Sequence, residues 1–375
     1  VGIVIILLIA VSVLGYGRPL IAAENLYVSA DAAILMDART GQVLYAKNPF
    51  KKRPPASTTK VITALLAIES GRLSDLVRVS RKAAGTEGSS IYLSAGEALS
   101  LRDLLYGALL KSGNDACVAI AEHIAGSTQR FAVLMNTRAL AMGALNTRFV
   151  NPHGLPDKNH YTTAYDLALI GRHALANRTF AEIVGTKDKV IDWPGKSWDR
   201  KLKNTNKLLW RYSWADGIKT GTTNAAGPCL ISSASKDSRQ LLAVVLDSGD
   251  RWGDSIKMFE YGFNKYEYSQ VAVAGADFGT YRVLNGTKEY VSVAFAKDHG
   301  ILLPAGDQSV LEKKVLMEPY PMAPIKKGRV LGSVSYYVDE YPAGRVDLVA
   351  AADIREMGIV GRIIKWVNSK ISSIF

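Results

Sequence analysis

Two cysteines in 375 residues, Cys117 and Cys229, are too few for a disulfide scaffold or a thiolate metal set. They read as two small buried thiols, and whether they bridge is a matter of geometry that spacing does not carry. The five histidines form no H-E-x-x-H pair, so zinc-peptidase chemistry is not indicated. His153 and His160 sit in loop-like segments and read as structural hydrogen-bonding groups. No Walker or dinucleotide glycine motif occurs, and neither a zinc-finger spacing nor an aromatic–basic RNA-binding motif. No cofactor, metal or nucleic-acid partner is therefore called for. Internal repeats and low-complexity tracts are also missing.

What remains is an ordinary globular composition, 48% hydrophobic and 21% charged, in a chain long enough for two domains. The formal net charge of +12 favours an anionic neighbourhood. Val1 to Leu14 are almost wholly apolar and are followed by Gly15, Gly17, Arg18, Pro19 and the small pair Ala22-Ala23. That run is shorter than the roughly 20 residues of a membrane span and ends in small residues, so 1–23 reads as a secretory signal. The body is expected outside the cytoplasm: on the outer face of the cytoplasmic membrane, in the periplasm or in the cell-wall space.

Ala32–Asp37 and Gln42–Ala46 read as a hairpin. A helix pattern starts at Ser57, with Val61, Ile62, Leu65, Leu66 and Ile68 on one broad face. Ser100-Leu-Arg-Asp103 and Thr163-Ala-Tyr-Asp166 resemble capping boxes with Asp for Glu. Leu230–Ala234 and Leu241–Leu246 read as neighbouring strands. Helix and strand patterns interleave to about residue 267. Short strand-like runs separated by Gly and Pro turns follow, such as Tyr290–Phe295 and Val330–Tyr336, so a small all-β domain is expected. In the last stretch Ile359, Val360, Ile363, Ile364, Trp366, Val367, Ile371 and Ile374 share one side of a helical wheel. Arg362, Lys365 and Asn368 lie opposite, with Lys370 an exception. A basic amphipathic helix with an interfacial Trp reads as a contact with a membrane surface.

Three short motifs carry the chemistry. In Ser57-Thr-Thr-Lys60, helical spacing brings the Lys60 amine beside the Ser57 hydroxyl. A serine is a poor nucleophile until a base takes its proton, and a lysine is a base only when neutral, which burial or a nearby positive charge would promote. In Ser112-Gly-Asn114, Ser112 offers a hydroxyl to pass a proton to a leaving amine. Asn114 offers a donor and an acceptor to orient Lys60 and a substrate amide, and Gly113 permits a tight bend. Lys219-Thr220-Gly221, followed by Thr222, precedes the strand at Leu230 and is expected on an edge strand along which a peptide can align. Lys219 brings a second positive charge that would depress the Lys60 pKa. The backbone N–H groups of Ser57 and Thr222 are the expected oxyanion donors. Each motif alone is common by chance; the three in this order are specific.

With these motifs, the chain resembles the low-molecular-mass penicillin-binding proteins, the serine D-alanyl-D-alanine carboxypeptidases. The likeness runs from about Ala30 to the C-terminus. It includes Pro55-Ala-Ser57, Ser112–Cys117, Asn151-Pro-His-Gly-Leu155, His160–Asp166, Asn204–Leu209 and Asp216-Gly-Ile-Lys-Thr-Gly221. The resemblance implies an α/β (α+β) catalytic domain of the penicillin-binding/β-lactamase-like type over 24–267, an antiparallel sheet flanked by helices. A small β-rich domain over 268–350 and an amphipathic membrane-surface helix over 351–375 would follow. It implies that Ser57 attacks the penultimate carbonyl of peptidoglycan stem peptides ending in D-Ala-D-Ala, and that β-lactams acylate the same serine. It implies an Arg for the substrate carboxylate, and Arg251 matches best. Two departures stand out: Thr222, where relatives often carry a larger side chain, and Pro228 near a strand start. A β-lactamase, a DD-endopeptidase and a non-catalytic wall-binding or β-lactam-sensing module stay open as alternatives.

Overall fold

The computed structural model describes residues 26–306, 310–359, 361 and 363. The signal expected over 1–23 lies outside the described residues, and so does most of the amphipathic helix expected over 351–375. The first strand, β1 (Ala32–Asp37), shows how the protein is layered. Ala32, Ile34 and Met36 point into one apolar core and Ala33 and Leu35 into another, as the two-residue period of a strand requires. It pairs antiparallel with β2 (Val43–Lys47), the expected hairpin.

A 3₁₀ turn over Ala56–Thr59 leads into α1 (Lys60–Glu69). The helix pattern was expected from Ser57, but regular α-geometry begins three residues later. Val61, Ile62, Leu65 and Ile68 are all buried, as are Thr63 and Ala64 between them, so α1 is a central helix enclosed on every side. β3 (Leu76–Arg78) pairs with β4 (Ala98–Ser100) across the short α2 (Arg81–Ala84). The helices α3 (Leu101–Leu110), α4 (Asn114–Ala125), α5 (Thr128–Ala141), α6 (Ala164–Leu175) and α7 (Arg178–Gly185) follow. The capping expected at α3 and α6 is present: Asp103 N donates to Ser100 Oγ at 3.0 Å and Asp166 N to Thr163 Oγ1 at 3.0 Å. Such caps stabilise a helix by about 1 kcal/mol. After the pair β5 (Asp188–Ile191) and β6 (Arg200–Lys203) and the short α8 (Leu208–Arg211) come β7 (Ala215–Thr223), β8 (Gly227–Lys236), β9 (Arg239–Leu246) and α9 (Arg251–Lys265).

The main sheet has the order β2-β1-β9-β8-β7 and is antiparallel throughout. Ile34, Ile231 and Val244 on one face meet α6 and share one core with α1, α3 and α4 behind it. Leu35, Leu230 and Val245 on the other meet Met258, Phe259 and Phe263 of α9. β7 is the edge strand, as expected for the segment with Lys219. Pro228 fits here because its carbonyl accepts from Ser248 N (2.9 Å). In an antiparallel strand N–H and C=O of one residue face the same side, so the missing donor points away from β7 and the ladder loses nothing.

The chain then becomes all β. β10 (Tyr266–Ala272) pairs with β13 (His299–Pro304). β11 (Asp277–Arg282), β12 (Tyr290–Phe295), β14 (Leu311–Met317), β15 (Val330–Val338) and β16 (Tyr341–Ala350) form a sheet in the order β11-β12-β16-β15-β14. Val291, Val293, Val334, Tyr336, Val346 and Leu348 fill its own core. The buried Gln42, after β1, bonds both backbone groups of Leu302 in β13; Leu302 N donates to its Oε1 at 2.8 Å. Among the described residues no helix is long and apolar enough to cross a membrane. Cys117 and Cys229 are free and buried, and burial raises both thiols to about 11.

Candidate active site

Ser57 stands on the 3₁₀ turn, and that turn is fixed by side chains on either side of it. Thr58 Oγ1 donates to Pro55 O at 2.6 Å and Thr59 Oγ1 to Ala56 O at 2.9 Å. His160 lies beside Thr59, its Nε2 2.9 Å from Thr59 Oγ1, while Val150 N donates to His160 Nδ1 at 3.1 Å. With Nδ1 an acceptor, the ring proton sits on Nε2 and is given to Thr59. Burial lowers His160 to about 4, which keeps the ring neutral. Ala56, just before the serine, has φ of 47°, a left-handed conformation that costs a non-glycine residue free energy. Gly154 packs directly on the Ala56 carbonyl, where a side chain could not fit, and has φ of 91°.

Lys60 is fully buried at the start of α1. Its Nζ lies 2.9 Å from Ser57 Oγ, 2.7 Å from Asn114 Oδ1 and 2.7 Å from His153 O. Burial lowers its pKa to about 8. Two of the three partners, the amide oxygen and the peptide oxygen, only accept. They therefore hold both N–H bonds of a neutral amine and leave its lone pair for the Ser57 hydroxyl. Asn114 opens α4, and its Nδ2 donates to Glu87 O at 2.7 Å, which fixes the amide orientation.

β7 passes on the other side of Ser57. A Cβ on Gly221 would stand 2.9 Å from Ser57 N. Arg251, at the start of α9, donates from Nη1 to Gly221 O (2.9 Å), Thr222 Oγ1 (2.8 Å) and Cys229 O (3.2 Å). The Gly221 carbonyl is thus taken up on the β8 side. By strand alternation Thr220 and Thr222 present their N–H and C=O groups to the open edge. Lys219 is buried, with Nζ 3.0 Å from Thr220 O, and Thr220 Oγ1 is 3.0 Å from Thr205 Oγ1. Ser112 is mostly buried, and its hydroxyl has no hydrogen-bond partner among the described residues. Among those residues no three His, Cys, Asp or Glu side chains converge as a metal ion would need.

A family model described as D-alanyl-D-alanine carboxypeptidase matches residues 20–250, and one described as penicillin-binding protein 5, C-terminal domain, matches 266–356. The chain belongs to the D-alanyl-D-alanine carboxypeptidase family. It is 34% identical over 342 residues to the D-alanyl-D-alanine carboxypeptidase DacF of Bacillus subtilis, covering 88% of this chain and 87% of that one. To DacA of Haemophilus influenzae it is 33% identical over 367 residues, covering 93% and 91%. The crystal structure of penicillin binding protein 5 from Haemophilus influenzae superposes with a TM-score of 0.74 at 33% identity, covering 88% of this chain and 98% of that one.

For this carboxypeptidase-family chain two details refine the sequence reading. Burial and a nearby positive charge were both expected to favour a neutral Lys60, and burial is the main cause of its depressed pKa. The mutual repulsion shows on Lys219, which burial and then the Lys60 charge hold well below the usual lysine range. The bend before α4 was given to Gly113, yet Ser112 takes the positive φ (63°) and Gly113 has −57°. Gly113 is needed for space instead: a Cβ there would stand 2.8 Å from Asp115 Oδ1.

Sequence reasoning missed four contributors. The His153 carbonyl touches Lys60, but a backbone oxygen has no signature in the residue type. Gly88, with φ of 86°, lets the chain approach Asn114, whose Nδ2 a Cβ there would meet at 2.7 Å. Gly154 makes room for Ala56. Asp115 ties down the segment before α4: its carboxylate accepts from Ile91 N and Leu93 N (each 3.1 Å) and Ser90 Oγ (2.6 Å). The Asn151–Leu155 run and the residue next to Asn114 were the available signals for Gly154 and Asp115.

Proposed function

We propose that this chain is a serine-type D-Ala-D-Ala carboxypeptidase that removes the terminal D-alanine from peptidoglycan stem peptides through an acyl-enzyme on Ser57. The observation that carries this reading is the contact of Lys60 Nζ with Ser57 Oγ, with both N–H bonds of a neutral amine engaged elsewhere. In the proposed reaction Ser57 Oγ attacks the penultimate carbonyl as its proton passes to Lys60 Nζ. The N–H groups of Ser57 and Thr222 stabilise the oxyanion, and each such donor contributes about 3 kcal/mol to lowering a barrier of this kind. The C–N bond then breaks, and the proton held by Lys60 passes by way of the Ser112 hydroxyl to the amine of the leaving D-alanine, which returns Lys60 to its neutral form. Water then adds to the ester carbonyl as Lys60 takes its proton, and on collapse that proton passes to Ser57 Oγ as the shortened peptide leaves with a new carboxylate. Asn114 orients Lys60 and the substrate amide. Thr220 and Thr222 hold the peptide along the edge of β7 beside Lys219, Gly221 leaves room at the strand, and Arg251 meets the terminal carboxylate, for which a guanidinium fork is suited.

β-Lactams would acylate Ser57 in the same way and act as inhibitors. In this reading the protein works outside the cytoplasm: 1–23 directs export, 24–267 carries the chemistry, 268–350 sets it off from the membrane, and 351–375 rests on the membrane surface. The all-β segment, and the basic and apolar composition of 351–375, support that arrangement. The test is D-alanine release from a synthetic peptide ending in D-Ala-D-Ala. Release by the exported protein that disappears in Ser57→Ala is expected. A well-folded wild type that releases none would overturn the reading.

A further inference from the structure

The N-terminal half of β7, away from Ser57, is covered by α7 and α8. Gly217 lies against α7, where a Cβ would stand 2.7 Å from Val184 Cγ2. The surface beside these helices carries exposed tryptophans set among lysines. Trp210 on α8 is 44% exposed and Trp214, immediately before β7, is 42% exposed, so neither indole is covered by the fold itself. Lys203 Nζ lies 5.5 Å from the Trp210 ring centroid and Lys187 Nζ 6.0 Å from it, and Lys236 Nζ lies 5.8 Å from that of Trp214. The two tryptophans are four positions apart in the chain, so their Cα atoms are at most about 14 Å from one another.

One lysine over a surface indole is a common way of shielding it. Two lysines at the same indole are different, because like charges repel. The backbone brings them together: Asn204 N donates to Lys187 O at 2.8 Å, and Lys203 is paired with Asp188 in the β5–β6 ladder. Lys187, Lys203 and Lys236 form no ion pair among the described residues, and neither does the exposed Asp188. Asp216, two residues after Trp214, is already committed, its carboxylate accepting from Ser233 Oγ, Ser235 Oγ and Gln240 Nε2. The surface therefore offers two indoles and an excess of ammonium groups over free carboxylates.

Stacking and charge together define the ligand. A purely anionic chain would use the lysines and leave both indoles in water. A neutral sugar chain would use the indoles and leave the ammonium groups unmatched. A lipid surface calls for a continuous apolar face, and here lysines interrupt it. A polysaccharide with an acidic group on its sugars meets both demands: the C–H face of a pyranose packs on an indole, and the acidic group meets the lysine beside it. The strip starts at Lys203, two residues before Thr205, whose Oγ1 is 3.0 Å from Thr220 Oγ1. From there it runs away from Ser57 to Trp214 and Lys236 at the far end of β7 and β8. A polymer lying on it passes the mouth of the catalytic cleft without filling it.

We propose that Lys187, Lys203, Trp210, Trp214 and Lys236 form a docking surface for an anionic polysaccharide, separate from the catalytic cleft. Equilibrium binding by the whole exported protein tests it. The probes are polygalacturonate and phosphomannan as acidic sugar chains, polyglutamate as a charged chain without sugars, and dextran as an uncharged sugar chain. At least one acidic polysaccharide should bind about tenfold more tightly than polyglutamate or dextran, the scale of a well-placed interfacial Trp. The better of the two tells a carboxylate ligand from a phosphate one. Trp210→Ala/Trp214→Ala should remove that advantage and leave polyglutamate binding unchanged. Lys187→Gln/Lys203→Gln should weaken polyglutamate and the acidic polysaccharide alike, by about threefold. All four side chains are exposed, so denaturant unfolding of both variants should match the wild type. No advantage of either acidic polysaccharide over polyglutamate, or an advantage that survives the double tryptophan substitution, would overturn the surface. So would a double tryptophan variant that loses binding to phosphatidylglycerol vesicles while keeping the polysaccharide, since the strip would then be a membrane contact.

Discussion

Gly221 and Ser57 meet backbone to backbone. A Cβ on Gly221 would stand 2.9 Å from Ser57 N, 3.0 Å from Thr58 N and 3.1 Å from the Ala56 Cβ. None of these is the movable end of a flexible side chain, so Gly221→Ala must push the 3₁₀ turn off the edge of β7. Overpacking of this kind costs about 1–3 kcal/mol, which a domain of this size can survive. The proposed oxyanion donor would nevertheless be displaced. Acylation by a fluorescent penicillin is expected to slow about 10²-fold, the effect of losing one such donor. A variant that acylates at the wild-type rate would remove Ser57 N from the oxyanion site.

Lys60 predicts two pH effects. With a pKa of about 8, only about a tenth of the amine is neutral at pH 7, so acylation should rise about tenfold between pH 7 and a plateau above pH 8. A rate flat from pH 6 to 9 would exclude Lys60 as the base. The second effect is on stability. The unfolded chain keeps this proton up to about 10.5 and the folded chain only to about 8, so between those values the unfolded state binds more protons. The contribution of Lys60 to stability therefore rises with pH across that window, by about 3 kcal/mol, and is constant below it. Denaturant unfolding of the wild type against Lys60→Met, compared at pH 7.5 and pH 10.5, should show that difference.

The parts of this arrangement that could be read from sequence are the local ones. Ser57 and Lys60 are three residues apart on a helical turn, so their contact follows from spacing alone. Alternation likewise marks β8 and β9, and Ser100 and Thr163 mark two helix starts. That Asn114 reaches Lys60 is a contact between α4 and α1, and no local pattern encodes it; motif order and resemblance stood in for geometry there. The burial of Lys60 depends on α3, α4 and α6 closing around α1, so the sequence could name burial and a neighbouring charge as causes of a low pKa but could not rank them. The His153 carbonyl could not be anticipated, since any residue type at 153 would supply the same oxygen. Ser112 takes the bend expected of Gly113, and Gly113 is required for space beside Asp115 instead, a demand that only the packed structure reveals.

Arg251 separates binding from chemistry. It spans Gly221 O, Thr222 Oγ1 and Cys229 O, so it both braces β7 and is proposed to receive the terminal carboxylate. Arg251→Lys keeps the charge but loses the fork. Losing a charge-assisted bond of about 2 kcal/mol should lower kcat/KM roughly thirtyfold on a peptide with a free C-terminal carboxylate. The same peptide ending in a carboxamide offers no carboxylate, so its low turnover should change far less. Equal losses on both peptides would mean that Arg251 acts only by bracing the strand.

Asp115 supports the site from behind. It is wholly buried, and its carboxylate gathers Ile91 N, Leu93 N and the Ser90 hydroxyl. Asp115→Ala leaves these donors without a partner where water has little access, so a loss of about 3 kcal/mol or more is expected in denaturant unfolding. The same segment holds Asn114 through Ser89 O, which accepts from Asn114 N at 2.7 Å, and through Glu87 O, which accepts from Nδ2. Loosening it should let the Asn114 amide turn and release one of the two acceptors that aim the Lys60 lone pair. Acylation by the folded variant should therefore fall more than global stability alone accounts for. Asp115→Asn, which keeps one acceptor oxygen but turns an amide N–H toward other donors, should fall between the two. If Asp115→Ala loses stability but acylates as fast as the wild type while folded, the loop does not position Asn114, and Lys60 is aimed through His153 O alone.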